Sequence, residues 1–252
     1  MALNPTADEI PEPAGRADDR PTGAGKAGTG PAPGRGVTFV PDPRVTIGYR
    51  VCRAIFRAIL GVWFRPRVSG RLFVPAQGPV ILAPVHRSFA DFGFTAFVTR
   101  RKLFFMAKDD LWANRVLGRL LITLGAFPVH RESADREALR HAEAVLNAGQ
   151  VLVLFPEGTR QEGPVVRNLL EGAAFLAART GARIVPIGIG NSDRAMQKGQ
   201  KIPKPLPITV VVGEPLAPPE RSDSGRVSRT KVHQTTEELR RRIQAVYDRA
   251  RG

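Results

Sequence analysis

The chain predicts an α/β fold with a mostly parallel central sheet flanked by helices, and three observations carry that prediction. Short runs rich in Val, Ile, Leu and Phe alternate with stretches of helical spacing, the pattern of strands joined by crossover helices. The 252 residues, 42% of them hydrophobic, suffice for one full core and show no internal repeat. Cys52 is the only cysteine, so the fold must be held by packing and not by a disulfide framework.

Residues 1–43 read as a disordered tail, because Pro and Gly recur every few positions and no apolar periodicity survives. The tail also lacks the apolar core of a secretory signal. Residues 44–66 read as an amphipathic helix at a membrane interface. At about 100° per residue, Arg50, Arg53 and Arg57 share one narrow arc, with Val51, Cys52, Ile55, Phe56, Ile59, Leu60, Val62 and Trp63 opposite. A basic stripe beside a broad apolar face suits a helix lying in a headgroup layer, and docking on the core is the alternative. The α/β domain follows at 67–218. Its strands are expected at 80–84, 103–107, 126–129, 151–155, 183–189 and 208–213. Helices are expected at 91–99, 111–124, 133–148 and 168–180, with Ser133 as an N-cap and Gly149 and Gly181 as stops. Residues 219–252 read as a basic loop and a closing helix over 235–251 with a solvated face. No stretch approaches the roughly 18 uninterrupted apolar residues that a spanning helix needs.

Lys and Arg total 38 against 23 Asp and Glu, a formal net charge of +15. Residues 1–36 hold five acids and four bases, so the whole excess lies beyond them. Such an excess attracts a polyanion: nucleic acid, an anionic membrane face or a phosphorylated substrate. A solubilising Arg-rich surface is the alternative. Few aromatics interleave with the bases, which argues against nucleic acid as partner. The expected location is peripheral, on the cytoplasmic face of the cell membrane.

Two blocks carry chemistry. His86-Arg87-Ser88-Phe89-Ala90-Asp91 follows the strand at 80–84, where ligands of open α/β sheets bind. On one continuous helix His86 and Asp91 would lie roughly 140° apart. They can meet if His86 sits in the turn and Asp91 in the first helical turn, where the carboxylate would orient the imidazole as a base. Ser88 lacks the surroundings of a nucleophile elbow. Cys52 fits packing, and the scattered His86, His130, His141 and His233 form no metal-ligand pattern. The second block, Phe155-Pro156-Glu157-Gly158-Thr159-Arg160, follows another apolar strand. Gly158 allows close backbone approach, and Arg160 offers a fork suited to phosphate. Arg131, after the strand at 126–129, and Lys108, ending the strand at 103–107, are placed to add charge at the same edge. A Glu157–Arg160 surface ion pair is the alternative.

Together these blocks resemble the glycerolipid acyltransferases of the bacterial lysophosphatidic acid acyltransferase type. Residues 86–91 match the H-x4-D motif and residues 155–160 match F-P-E-G-T-R. Residues 125–131 resemble the intervening G-x5-R block, and Val185-Pro186-Ile187 resembles the late V-P-hydrophobic block. Two positions depart: Val85 stands where many members have Asn, and Pro128 where an aromatic or aliphatic residue is commoner. The resemblance implies acyl transfer from acyl-CoA or acyl carrier protein to 1-acylglycerol 3-phosphate, giving phosphatidic acid; glycerol 3-phosphate, another lysophospholipid or a glycolipid is the alternative acceptor. It implies His86 as general base, Asp91 as its support, and Arg131, Glu157, Gly158, Thr159 and Arg160 at the glycerol phosphate, with Lys108 near the reacting oxyanion or phosphate. No metal or redox cofactor is needed, because the thioester co-substrate is already activated.

Overall fold

A computed structural model describes residues 44–129, 136–196, 202–220 and 227–252. The tail at 1–43, Ser133 and Arg131 lie outside these described residues. Seven strands form one sheet: β1 (Arg67–Ser69), β2 (Val80–Pro84), β3 (Leu103–Lys108), β4 (Ala126–Val129), β5 (Val151–Val153), β6 (Arg183–Gly190) and β7 (Thr209–Val212). Their order is β1-β7-β6-β2-β5-β3-β4. The five strands from β6 to β4 are parallel, as the alternating pattern requires. At one edge β7 runs antiparallel to β6, and the short β1, which no sequence signal marked, runs parallel to β7. The inner strands are apolar on both faces; every residue of β2 is buried.

Among the described residues, seven α-helices accompany the sheet: α1 (Ile47–Phe64), α2 (Asp91–Thr95), α3 (Arg115–Thr123), α4 (Arg136–Asn147), α5 (Gly172–Thr180), α6 (Ser192–Ala195) and α7 (Arg229–Arg251). Asn114 caps α3 by accepting from the Val116 and Leu117 amides, a start signal within the single helix expected at 111–124. Gly149 and Gly181 do end α4 and α5, both in the left-handed region. The connections β2→β3 and β3→β4 run one way across the sheet, and β4→β5 and β5→β6 return. Right-handed crossovers in opposite directions place helices on opposite faces. Accordingly α1, α2 and α3 cluster together, while α4, α5 and α7 form a second cluster.

Two expectations are corrected. The arginine stripe of α1 does not face outward as a whole: Arg53 and Arg57 turn into the protein. Arg53 donates to the carbonyls of Ala96, Thr99, Arg100 and Arg101, and Arg57 donates to the Ala96 carbonyl while lying over the Phe97 ring. These carbonyls follow α2, where a helix leaves its acceptors unsatisfied and a cation is favoured. Tyr49 and Phe64 are buried beside them, and Gly93 of α2 leaves room for Phe56 and Leu60. The outward ridge is Ile47, Val51, Ile55, Ile59 and Val62, 49–82% exposed.

The closing helix begins earlier than the expected residue 235 and, besides its solvated face, has a buried one. α7 starts at Arg229 and buries Val232, Thr236, Leu239, Ile243, Val246, Tyr247 and Ala250 against β6, β7 and α5. Its backbone crosses β6 so closely that a Cβ on Gly188 would lie 2.2 Å from the Val246 carbonyl oxygen, and one on Gly190 2.0 Å from that of Ala250. Glycine at both positions is what lets the helix seat.

Candidate active site

The neighbouring strands β2 and β5 pair from Val80↔Val151 to Leu82↔Val153, but the chains leaving them depart to opposite faces. In open α/β sheets such a divergence at the carboxyl ends of neighbouring strands is where ligands bind. Both motif blocks stand there. The strand pairing continues toward these blocks, with Leu154 N donating to the Leu82 carbonyl.

Asp91 begins α2 and His86 sits in the preceding turn, the arrangement in which a five-residue spacing lets them meet. Imidazole Nδ1 lies 3.2 Å from Asp91 Oδ2. The carboxylate is fully buried, and the same Oδ2 accepts from the Arg87 and Ser88 amides, each at 2.6 Å. Asp91 therefore shapes the turn as well as orienting the ring. A ring that donates from Nδ1 to Asp91 leaves the Nε2 lone pair free for another partner. Asp91 Oδ1 has no hydrogen-bond partner among the described residues.

The second block locks His86 from the other side. The Phe155 ring lies with its centroid 4.1 Å from that of the imidazole. Glu157 Oε1 accepts from the His86 backbone amide at 2.8 Å, and Gln161 N donates to the His86 carbonyl at 2.9 Å. Glu157 Oε2 pairs with Arg87 Nη1 at 2.5 Å, both side chains essentially buried. So the alternative Glu157–Arg160 surface pair is replaced by an internal Glu157–Arg87 pair. Both Glu157 oxygens are used within the protein, which is a different placement from contact with a glycerol phosphate.

Gly158 has φ +71°, and a Cβ there would lie 2.7 Å from Leu170 Cδ1. Its lack of a side chain thus serves the turn itself, through the left-handed backbone and the packing of Leu170. Thr159 and Arg160 are exposed. Thr159 Oγ1 accepts from Gln161 Nε2, and Arg160 has no ion-pair partner among the described residues. Lys108 ends β3, two strands from β2 in the sheet. Val85 is fully buried with its amide donating to the Ile187 carbonyl, so β6 holds the turn there.

Three residues of the site were not singled out from the sequence: Arg87, Gln244 and Tyr247. Arg87 Nε donates to the Gly163 carbonyl, Nη1 to the His86 carbonyl, Nη2 to the Val165 carbonyl, and the guanidinium lies 5.1 Å from the Tyr247 ring centre. Gln244 accepts from the Val166 amide and donates to the Pro164 carbonyl, pinning the same loop to α7. Burial raises the Tyr247 phenol above its ordinary pKa, with the Arg87 guanidinium pulling the other way. The available signal was the spacing of Leu239, Ile243, Val246 and Tyr247, which marks an inward face on α7.

Comparison with known proteins bears on the family and the fold. The family model described as Acyltransferase matches residues 65–190, half of the chain, including both blocks. The 1-acyl-sn-glycerol-3-phosphate acyltransferase of Bacillus subtilis is 26% identical over 197 residues, 77% of this chain and 94% of that protein. The protein of the same description from Streptococcus pneumoniae is 36% identical over 110 residues, 43% of this chain and 40% of that protein. Among solved structures, the 1-acyl-sn-glycerophosphate acyltransferase PlsC from Thermotoga maritima has a TM-score of 0.65 at 22% identity, covering 81% of this chain and 80% of that one, and so shares the fold. The chain belongs to the acyltransferase family.

Proposed function

We propose that the chain is a 1-acylglycerol-3-phosphate O-acyltransferase, moving a fatty acyl group from acyl-CoA or acyl carrier protein to the free glycerol hydroxyl and forming phosphatidic acid. The observation that carries this reading is the imidazole of His86, oriented by Asp91 and fixed against the loop that presents Arg160. His86 Nε2 takes the hydroxyl proton as the oxygen attacks the thioester carbonyl. The tetrahedral oxyanion then collapses, the C–S bond breaks, and the departing thiolate receives the proton from the imidazolium. Asp91 stabilises that imidazolium without itself being protonated. Positioning does the remainder, since a thioester needs no further activation and the route requires no metal or redox cofactor.

In this reading Arg160 and Arg131 hold the acceptor phosphate, Gly158 and Thr159 shape the loop beneath it, and Lys108 supplies charge to the phosphate or oxyanion. The names of the Bacillus and Streptococcus relatives support the choice of acceptor. The outward ridge of α1 lies in the interface of an anionic bilayer on its cytoplasmic face, where an amphiphilic acceptor resides. Val116, Leu120 and Ile122 of the adjoining α3 add exposed apolar surface, and the exposed Arg50 meets headgroups. No helix among the described residues is long and apolar enough to cross the membrane.

The test is thiol release and lipid mass spectrometry with the purified chain, acyl-CoA or acyl-loaded carrier protein, and a panel of lysophosphatidic acid, glycerol 3-phosphate, other lysophospholipids and a glycolipid. Lysophosphatidic acid should give the fastest release with phosphatidic acid as product; no stimulation by it overturns the reading. His86→Ala should lose on the order of 10²–10⁴-fold in turnover, the range of a general base.

A further inference from the structure

We propose that Arg87 and Glu157 are positioning residues, an internal pair that fixes the backbone of His86 and that α7 holds in place. The proposal rests on the reading of His86 as the base. It reassigns Glu157 from acceptor contact to the support of the histidine.

Every donor contact recorded for the Arg87 guanidinium ends inside the protein. Its acceptors are the carbonyls of His86, Gly163 and Val165 and the Glu157 carboxylate, and the side chain is fully buried. Each of its three nitrogens is engaged, and burial keeps the fork from the surface where a phosphate would meet it. Glu157 is equally committed: Oε2 to Arg87, Oε1 to the His86 amide. His86 is thus held at its amide by Glu157, at its carbonyl by Arg87 and Gln161, at Nδ1 by Asp91 and on its ring face by Phe155. A residue gripped at five points has little freedom in χ1 or in the direction of Nε2. Misplacing a catalytic group by about 1 Å costs on the order of 10²-fold in rate, so such restraint is worth a buried ion pair.

The last member comes from far along the chain. Tyr247 closes over the guanidinium, and Gln244 ties down the loop at 164–166 whose carbonyl neighbours receive Arg87. α7 lies outside the segment matched by the family model, yet it supplies one wall of the histidine's support.

Kinetics of the full chain with palmitoyl-CoA and 1-oleoyl lysophosphatidic acid, together with thermal melts, test the pair. Glu157→Ala should lower kcat by about 10²-fold with KM for the acceptor unchanged within about twofold. Glu157→Gln keeps an oxygen for the His86 amide and should recover a substantial part of that loss. Arg87→Lys replaces a fork by a point charge and should also act on kcat alone; if it fails to fold, Glu157→Gln against Glu157→Ala decides. A raised KM with kcat retained would show Glu157 contacting the acceptor and overturn the proposal, as would wild-type kcat in Glu157→Ala. If His86→Ala keeps full turnover, the base assignment fails and the pair's role with it. A dead His86→Ala beside an unimpaired Glu157→Ala removes only the positioning claim.

Discussion

The helices α1 and α7 are both amphipathic, basic and packed on the same domain, but they turn opposite faces inward. α7 buries its apolar residues and leaves outside a charged surface laced with local pairs, Glu237 with Arg240 and Glu238 with Arg241 and Arg242. Each such exposed pair contributes only a few tenths of a kcal/mol, so the seat of α7 comes from its apolar side. α1 turns the half-buried Arg53 and Arg57 inward with the buried Tyr49 and Phe64, while five aliphatic side chains point outward. The difference teaches that an amphipathic pattern divides a helix into faces without saying which face meets the protein. Open carbonyls beyond α2 can receive arginine, and an apolar ridge is then left for another apolar phase.

Substitutions at matched positions break or sharpen this contrast. The largest effect is expected from Ile243→Ala on α7, about 2–5 kcal/mol of unfolding free energy for a buried large-to-small change. Ile55→Ala on α1 should stay within about 0.5 kcal/mol, as exposed positions do. Urea titration of both variants makes the comparison, and equal losses would show that the two helices are seated alike. Next comes the double change Ile55→Glu and Ile59→Glu. It should weaken sedimentation with anionic vesicles by about tenfold or more, given the apolar area withdrawn from the bilayer, at little cost to folding. Arg53→Lys should destabilise the chain by about 1–2 kcal/mol, because a single ammonium cannot satisfy four diverging carbonyls.

The smallest effect concerns α7 at high pH. The folded pKa of Tyr247 is raised by burial, so below the ordinary tyrosine value of about 10 both states keep the proton and stability is unaffected. Above it the unfolded chain releases the proton first, and stability declines as pH rises. Tyr247→Phe should flatten that decline in melts between about pH 9 and 11, by less than about 1 kcal/mol.

Legibility in the sequence followed the range of the interaction. β2 and β4 fall on the expected residues, because a short apolar run between turn signals is a local property of the sequence. The His86–Asp91 contact was readable for the same reason, since a strand end followed by a helix start leaves one way for five residues to fold back. The Arg87–Glu157 pair was not. Its members are 70 residues apart, and each sits in a block that offers a more obvious job. Arg160, three residues from Glu157, offered the local pairing that the sequence suggests, whereas the buried partner is Arg87. The orientation of α1 was hidden because its receptors are main-chain oxygens, which leave no mark on side-chain periodicity.

That last feature has a consequence for how such a chain diversifies. Peptide carbonyls are common to all residues, so the arginines of α1 can keep their grip while the sequence at 96–101 drifts. The aliphatic row on the far side is equally unconstrained from within. On the proposed membrane reading, lengthening, thinning or recharging that row would readdress the protein to a different lipid composition without touching the residues around His86.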